Sequence, residues 1–348
     1  MNNMITERIM NNRISILVLG AAVLLSASCE KIQSGRGNAV SFSTGISSTK
    51  TSYNSSDVWL IEWIENDKIK VHSEECYGPL EKEATYKIAP GTISNESDRS
   101  KGDFLPEDEN AQLYWDADPE ANHTFSAVYP AGKGVWSSGD IFTFPVPINQ
   151  SNADGFMENC YLVARNTNVK NTLAKGSVLL SFKPIMTTLE VTVQGATEDA
   201  SLNRTLSHID FTTAMPCDGK NEFAYNTASE TATTATKSTT IVWTPTDDTK
   251  TIAGSATAEP NKLKFNVFIP YVEISSSNKV QIDIYFKDET STDQHYTATL
   301  NPSSTIAAGA KKKIVLPTLM KASYIGEQSL EPFHGEESDS NDDWKETL

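Results

Sequence analysis

Residues 263–286 read LKFNVFIPYVEISSSNKVQIDIYF, and this stretch decides the fold. Leu263, Phe265, Val267 and Ile269 are apolar at every second position, alternating with Lys264, Asn266 and Phe268, and the run stops at Pro270. Val280, Ile282, Ile284 and Phe286 repeat the pattern against Gln281, Asp283 and Tyr285. A period of two puts the apolar set on one face of an extended strand. β-branched and aromatic residues favour that pleated surface.

The same pattern recurs outward in both directions. Phe125, Ala127 and Tyr129 alternate before Pro130, Leu189, Val191 and Val193 before Gly195, and Tyr296, Ala298 and Leu300 follow the opening stretch. Ile314 and Leu316 close the series. Phe142, Phe144, Val146 and Ile148 share a face, with Pro145 and Pro147 on the other. Proline cannot donate to a ladder, so this segment is expected at a sheet edge or only partly paired. No stretch beyond residue 28 keeps a 3.6 period for ten residues. Many short strands closed by turn residues predict an all-β protein of antiparallel sandwiches. The Thr-rich residues 226–240 read as a long surface loop or a weak exposed hairpin. Polar residues 166–176 are the expected division between two domains, 51–174 and 175–334, with an acidic tail at 335–348.

Residues 1–28 are a targeting segment, set apart from the fold. Arg8 and Arg13 precede the apolar run Ile14–Ala27, which is shorter than the about 20 residues a membrane-spanning helix needs. Ser26, Ala27 and Ser28 then lead into Cys29. Small residues followed directly by cysteine resemble a bacterial lipobox, although Ser26 stands where an aliphatic residue is usual. The resemblance makes Cys29 the acylated N-terminus of a mature chain of 320 residues, and Glu30 points to the outer membrane. Ordinary secretion is the alternative. After Cys29 come a polar tether with Arg36, an alternating strand with Val40, Phe42, Thr44 and Ile46 on one side, and Lys50. Residues 29–50 therefore read as anchor, tether and first strand, with two basic positions flanking that strand.

Composition excludes several classes of function. A formal net charge of −16 over 348 residues disfavours binding to phosphate backbones, so no nucleic-acid partner is expected. Besides Cys29, Cys76, Cys160 and Cys217 form no metal-ligand spacing, and they read as buried or isolated thiols or as one disulfide plus a free thiol. The histidines, His72, His123, His208, His295 and His334, make no HExxH, and no GxSxG or phosphate-binding loop occurs. The tail lacks the order of a calcium loop. No enzyme activity, cofactor or metal is expected. Trp59, Trp63, Trp115 and Trp136 have two readings, as core anchors or as an exposed platform for a glycan or host ligand.

Taken in order, these segments resemble the fimbrillin family of pilus subunits. The segments are the leader ending at Cys29, SFSTGISSTKTSY, Trp63-x-x-x-Asp67-x-Ile69-x-Val71, TFSAVYPAG at 124–132, FTFPVPINQ at 142–150, SVLLSFKPIMTTLEVTV at 177–193 and AAGAKKKIVL near the C-terminus. The resemblance implies two transthyretin-like sandwich domains in tandem. It implies export as a lipoprotein held in the outer membrane through Cys29, proteolysis after a basic residue, and removal of the first strand. A neighbouring pilus subunit's strand then fills the groove by β-strand addition, building a surface fimbrium that serves adhesion. The family's cleavage residue is usually Arg. Here the matching position is Lys50, after the strand, whereas Arg36 lies before it. Cutting at Arg36 would release a closed monomer, cutting at Lys50 would open the groove, and no cutting would suit an anchor. Ser323–Phe333 is the candidate donor strand.

Overall fold

Residues 262–270 and 280–287 are strands, as their alternation predicts, and strands make up almost all the regular structure. A computed structural model describes residues 36–46, 63–78, 82–93, 101–151, 158–174, 177–194, 203–246, 251–253, 262–287, 293–300, 302 and 305–317. Cys29, Lys50, Trp59, the candidate donor strand and the acidic tail lie outside the described residues. No helix among the described residues is long and apolar enough to cross a membrane.

Numbered in chain order, seven strands close into a barrel. They run β11 (Leu162–Val169), β12 (Val178–Pro184), β2 (Phe42–Ile46), β5 (Gly102–Pro106), β4 (Glu83–Ile88), β3 (Lys68–His72) and β7 (His123–Tyr129), and β7 pairs back to β11. Strand β1 (Arg36–Ala39), just ahead of β2 in the chain, forms a two-stranded ribbon with β6 (Tyr114–Asp116). The largest sheet of the second half is β10 (Asn149–Ser151), β17 (Thr236–Thr244), β14 (Asn203–Pro216), β20 (Val280–Lys287) and β21 (Asp293–Leu300), with β18 (Thr251–Ala253) also on β14. A three-stranded sheet is ordered β19 (Lys262–Pro270), β13 (Met186–Gln194), β22 (Lys311–Pro317). A four-stranded sheet runs β16 (Thr231–Ala232), β15 (Glu222–Asn226), β9 (Ile141–Pro145), β8 (Val135–Ser138).

Most ladders are antiparallel, as expected, but β2–β12, β13–β22 and β10–β17 are parallel. Three features bear on the expected domain division. Strand β12 pairs with β2 and β11 in the barrel, β9 pairs with β15, and β10 pairs with β17. Buried apolar side chains from both halves form one continuous cluster. Within it the Trp243 and Phe265 rings stack 3.6 Å apart, joining β17 to β19.

Two expectations are adjusted by the ladders. Strand β9 is not at an edge, since β8 and β15 flank it, but β8 reaches only as far as Thr143. Beyond that point β9 is paired on one side, which is where Pro145 falls. The Thr-rich residues are mostly paired: β15 and β16 form a short hairpin, and Thr236–Thr240 run in β17 against β14.

Candidate functional site

Strand β2 is the part of the leader that enters the barrel. Its ladder with β12 aligns Phe42 with Val178, Ser43 with Leu179, Thr44 with Leu180, Gly45 with Ser181 and Ile46 with Phe182. Its ladder with β5 aligns Phe42 with Phe104, Ser43 with Asp103 and Thr44 with Gly102. Just before it, the Val40 amide donates to Leu113 O (2.9 Å) and Ser41 O accepts from Val178 N (2.8 Å). Val40, Phe42 and Thr44, three of the four residues expected on one side of the strand, are buried. Of Ile46 the structure gives the backbone pairing.

The floor under β2 is aromatic. The Phe42 ring meets Tyr86 edge-on at 4.7 Å and Phe125 at 5.3 Å. The Tyr86 hydroxyl accepts from Leu113 N (3.0 Å), which ties the floor to the loop that also holds Val40. Without β2, strands β5 and β12 would each present an unpaired edge above these rings.

The Trp-x-x-x-Asp-x-Ile-x-Val pattern builds the wall beside this floor. Trp63 is fully buried and lies edge-on to Phe104, Tyr129 and Phe182, all between 5.2 and 5.4 Å. The chain turns through Asn66, whose φ is 71°. The Asp67 carboxylate then accepts from Ile64 N (2.9 Å) and from the Tyr129 hydroxyl (3.0 Å). Ile69 and Val71 are fully buried in β3. Tyr129 precedes a cis peptide to Pro130, so the Tyr-Pro motif and the Asp of the Trp motif meet in one contact. Burial pushes both acids up from their ordinary values, Asp67 against the opposing effect of its hydrogen bonds, and Tyr129 further because it faces that carboxylate.

The two basic positions fare differently. Arg36 begins β1, whose backbone pairs with Asp116 of β6. At the next residue, a Cβ on Gly37 would lie 2.7 Å from Asp116 O and 3.1 Å from the Trp115 Cβ, so this approach needs glycine. Lys50 is outside the described residues.

The aromatic-platform reading loses most of its residues. Trp63 and Trp115 are buried, and Trp136 is half-buried against Phe142 (5.0 Å) and His72 (5.0 Å). Among the described residues, the exposed large apolar side chains are aliphatic: Ile64, Leu105, Val135, Leu173 and Leu179. Cys76, Cys160 and Cys217 are free and buried, and burial raises the Cys76 and Cys160 thiols to about 12. Among the described residues no three metal-ligating side chains gather. A cavity of about 260 Å³ opens between β11, β12 and the turn after β15, but its charges are matched, Arg165 by Asp140 (3.1 Å) and Lys183 by Glu230.

One residue carries more than its motif suggested. Gln150, buried in β10, donates to Phe268 O (2.8 Å) and accepts from Phe268 N (3.0 Å), imitating a strand along the edge of β19, and donates again to Pro147 O (3.0 Å). The sequence flagged it only as the end of FTFPVPINQ.

The sequence pattern of the fimbrillin-like family matches residues 49–318, so the match begins after β2. None of the curated proteins matches the chain. Among solved structures, a candidate cell adhesion protein of Bacteroides uniformis is similar in fold, with a TM-score of 0.50 at 15% identity over 80% of this chain and 93% of that one. A candidate cell adhesion protein of Bacteroides ovatus (TM-score 0.48, 14% identity, 81% and 92% coverage) and a fimbrial protein of Bacteroides vulgatus (0.37, 13%, 81% and 96%) are more distant in shape. That family is one of structural rather than catalytic proteins. With its pattern running through most of the 348 residues, the chain belongs to the fimbrillin-like family.

Proposed function

We propose that this protein is a structural subunit or accessory component of a cell-surface pilus, made as a lipoprotein and incorporated by exchange of β2. The acyl chain on Cys29 would hold the precursor in the outer membrane. Proteolysis would then release residues 29–50, and a strand of a neighbouring subunit would take the vacated place between β5 and β12. The barrel and the sheets of the second half would act as the two units of each subunit. The carrying observation is that a strand from the leader, upstream of the family pattern, completes a barrel whose other six strands all come from within it.

The ladder at Arg36 counts against it as the cut that matters and leaves Lys50 as the proposed one. A protease needs backbone that is extended and free, and nicking sites are argued from the hydrogen bonding of the affected chain. Arg36 is in a ladder, with tightly packed Gly37 beside it. Cutting there would also leave β2 in place. A filament strand entering the gap is β-augmentation, with backbone bonds for affinity and inward side chains for specificity.

N-terminal sequencing of protein recovered from surface filaments tests this reading. Chains that begin at Thr51 are the expected result. Recovery solely as acylated Cys29 monomer, never in filaments, overturns it. The burial of Trp63 and Trp115 counts against the glycan-platform alternative.

A further inference from the structure

Strand β2 fits its place imperfectly, and the misfits are specific. Thr44 is 3% exposed, yet its Oγ1 has no hydrogen-bond partner among the described residues. Its two cross-strand neighbours cannot supply one: Leu180 is apolar and buried, and Gly102 has no side chain. A Cβ on Gly102 would meet the Ile88 Cδ1 at 3.1 Å, the Thr92 Oγ1 at 3.8 Å and the Ile93 Cγ1 at 3.9 Å, and that Thr92 hydroxyl is already bonded to Ala89 O (2.8 Å) and Asp103 N (3.1 Å). The Thr44 hydroxyl is thus buried without a bond in surroundings that are mostly aliphatic, where a methyl would lose no hydrogen bond. A buried polar group without a partner bears its full desolvation cost.

The outward face of β2 is mismatched as well. Ser43 pairs with Leu179 on one side and Asp103 on the other. Leu179 is 52% exposed, and Leu105, on the same face of β5 as Asp103, is 50% exposed. A side chain as small as Ser43 covers neither. Cross-strand apolar pairs contribute where both partners are large enough to touch.

We propose that the barrel gap is shaped for a strand of a second subunit bearing an apolar, β-branched side chain in the register of Thr44 and an apolar one in the register of Ser43. The leader strand is then the weaker of two occupants, and its replacement runs downhill without an external energy source. This rests on the reading of β2 as an exchangeable strand, and it adds which positions choose the replacement.

The test uses the full chain with a specific protease sequence in place of residues 47–50. After cutting, fluorescent peptides of residues 38–46 compete for the gap, as the native sequence and as Thr44→Val, Thr44→Ser and Ser43→Val. The Thr44→Val peptide is expected to bind at least about fivefold tighter than the native one, the low end of what an unpaired buried hydroxyl costs. The Thr44→Ser peptide should bind more weakly, and Ser43→Val about twofold tighter. If native and Thr44→Val peptides bind alike, the inference is overturned while strand exchange stands. If no peptide enters, both fall. The uncut full chain carrying Thr44→Val supplies a second measurement. Its thermal midpoint should rise, and a fall contradicts the proposal.

Discussion

Strands β2 and β13 each lie between a parallel neighbour and an antiparallel one. Beyond that the two are held differently. Strand β13 makes nine pairs with β19 and seven with β22 without a register shift, whereas β2 makes five with β12 and three with β5. Both bury threonines. In β13 the Thr187 hydroxyl donates to Val272 O (2.6 Å) and accepts from Gly309 N (3.1 Å), and Thr188 donates to Met186 O (3.4 Å). In β2 the Thr44 hydroxyl has no partner among the described residues. The same residue type is a built-in tie in one strand and a defect in the other. The chain also differs around them, because β12 runs through Ile185 directly into β13, while β2 belongs to a leader that the family pattern does not include. Strand β13 is paired along its whole length with β19 and over most of it with β22, whereas β2 is the shorter-paired strand that the proposed exchange would remove.

The largest effect that could break this contrast comes from placing a charge in each strand. Phe42→Asp removes a ring packed on Tyr86 and Phe125 and buries a carboxylate, and Val191→Asp does the equivalent in β13. Each change costs about 3–5 kcal/mol if the strand stays in place. On the proposed exchange only β2 has an escape, by leaving the barrel. Phe42→Asp should therefore make residues 36–50 cleavable by added protease while the remaining chain resists. Val191→Asp should lower the stability of the whole chain. If Phe42→Asp instead unfolds the entire chain in one transition, β2 is as integral as β13 and the comparison collapses.

Next in size is the cap on β13's partner. Gln150→Leu keeps the volume of the side chain but takes away the acceptor and donor that hold Phe268 on the edge of β19. Three hydrogen bonds are lost, two of them to the buried backbone of Phe268 and one to Pro147 O, and urea unfolding should show a loss of about 2–4 kcal/mol. A change within about 0.5 kcal/mol would mean the edge is satisfied another way, and β19 would no longer count as closed.

The threonines offer a finer comparison, in which the sign carries the information. Thr187→Val should cost about 1–3 kcal/mol, because Val272 and Gly309 lose a shared partner. Thr44→Val should stabilise. Equal losses at both sites, measured by the same denaturant titration, would show that the Thr44 hydroxyl is satisfied in solution.

Much of this was legible from the residues, and the gaps have physical causes. Strands β7, β13, β19, β20 and β21 keep a period of two and were predicted. The inward set of β2 was also visible, since Val40, Phe42 and Thr44 alternate in the sequence as they do in the barrel. Strand β14, 14 residues long, escaped because its ladder with β20 shifts register between Leu206 and His208. Leu206 is buried on one side of that bulge, and Ile209, Phe211 and Met215 on the other, so the apolar parity changes from even to odd. The partners of a strand are not written in its own alternation either. That β2 would lie between β5 and β12, and that Leu180 and Gly102 would flank Thr44, depends on segments 60 and more than 130 residues away. The Gln150 cap was invisible for the same reason, since its partner is at position 268.

The smallest predicted effect concerns the barrel wall that stays when β2 goes. Asp67 ties the entry of β3 to Tyr129 at the end of β7, and burial holds its carboxyl above the ordinary value of 3.8 despite bonds from Ile64 and Tyr129 that favour the charge. A carboxyl that binds its proton more tightly when folded makes the folded state the better proton acceptor. Its contribution is therefore greatest below pH 3.8 and declines as pH rises through the window between that value and the raised one. Asp67→Asn has no proton to lose and keeps an oxygen for Ile64 N. The stability of the native chain minus that of Asp67→Asn, from urea titrations across this window, should fall with pH and then level off. The slope should be the same whether β2 is present or has been cut away, because the two groups bonded to the Asp67 carboxylate, Ile64 N and the Tyr129 hydroxyl, belong to neither of β2's ladders. A difference that rises with pH would mean the two hydrogen bonds outweigh burial. A slope that changes when β2 leaves would mean the wall is not independent of the strand it borders, and the division between fixed and exchangeable parts would have to be drawn elsewhere.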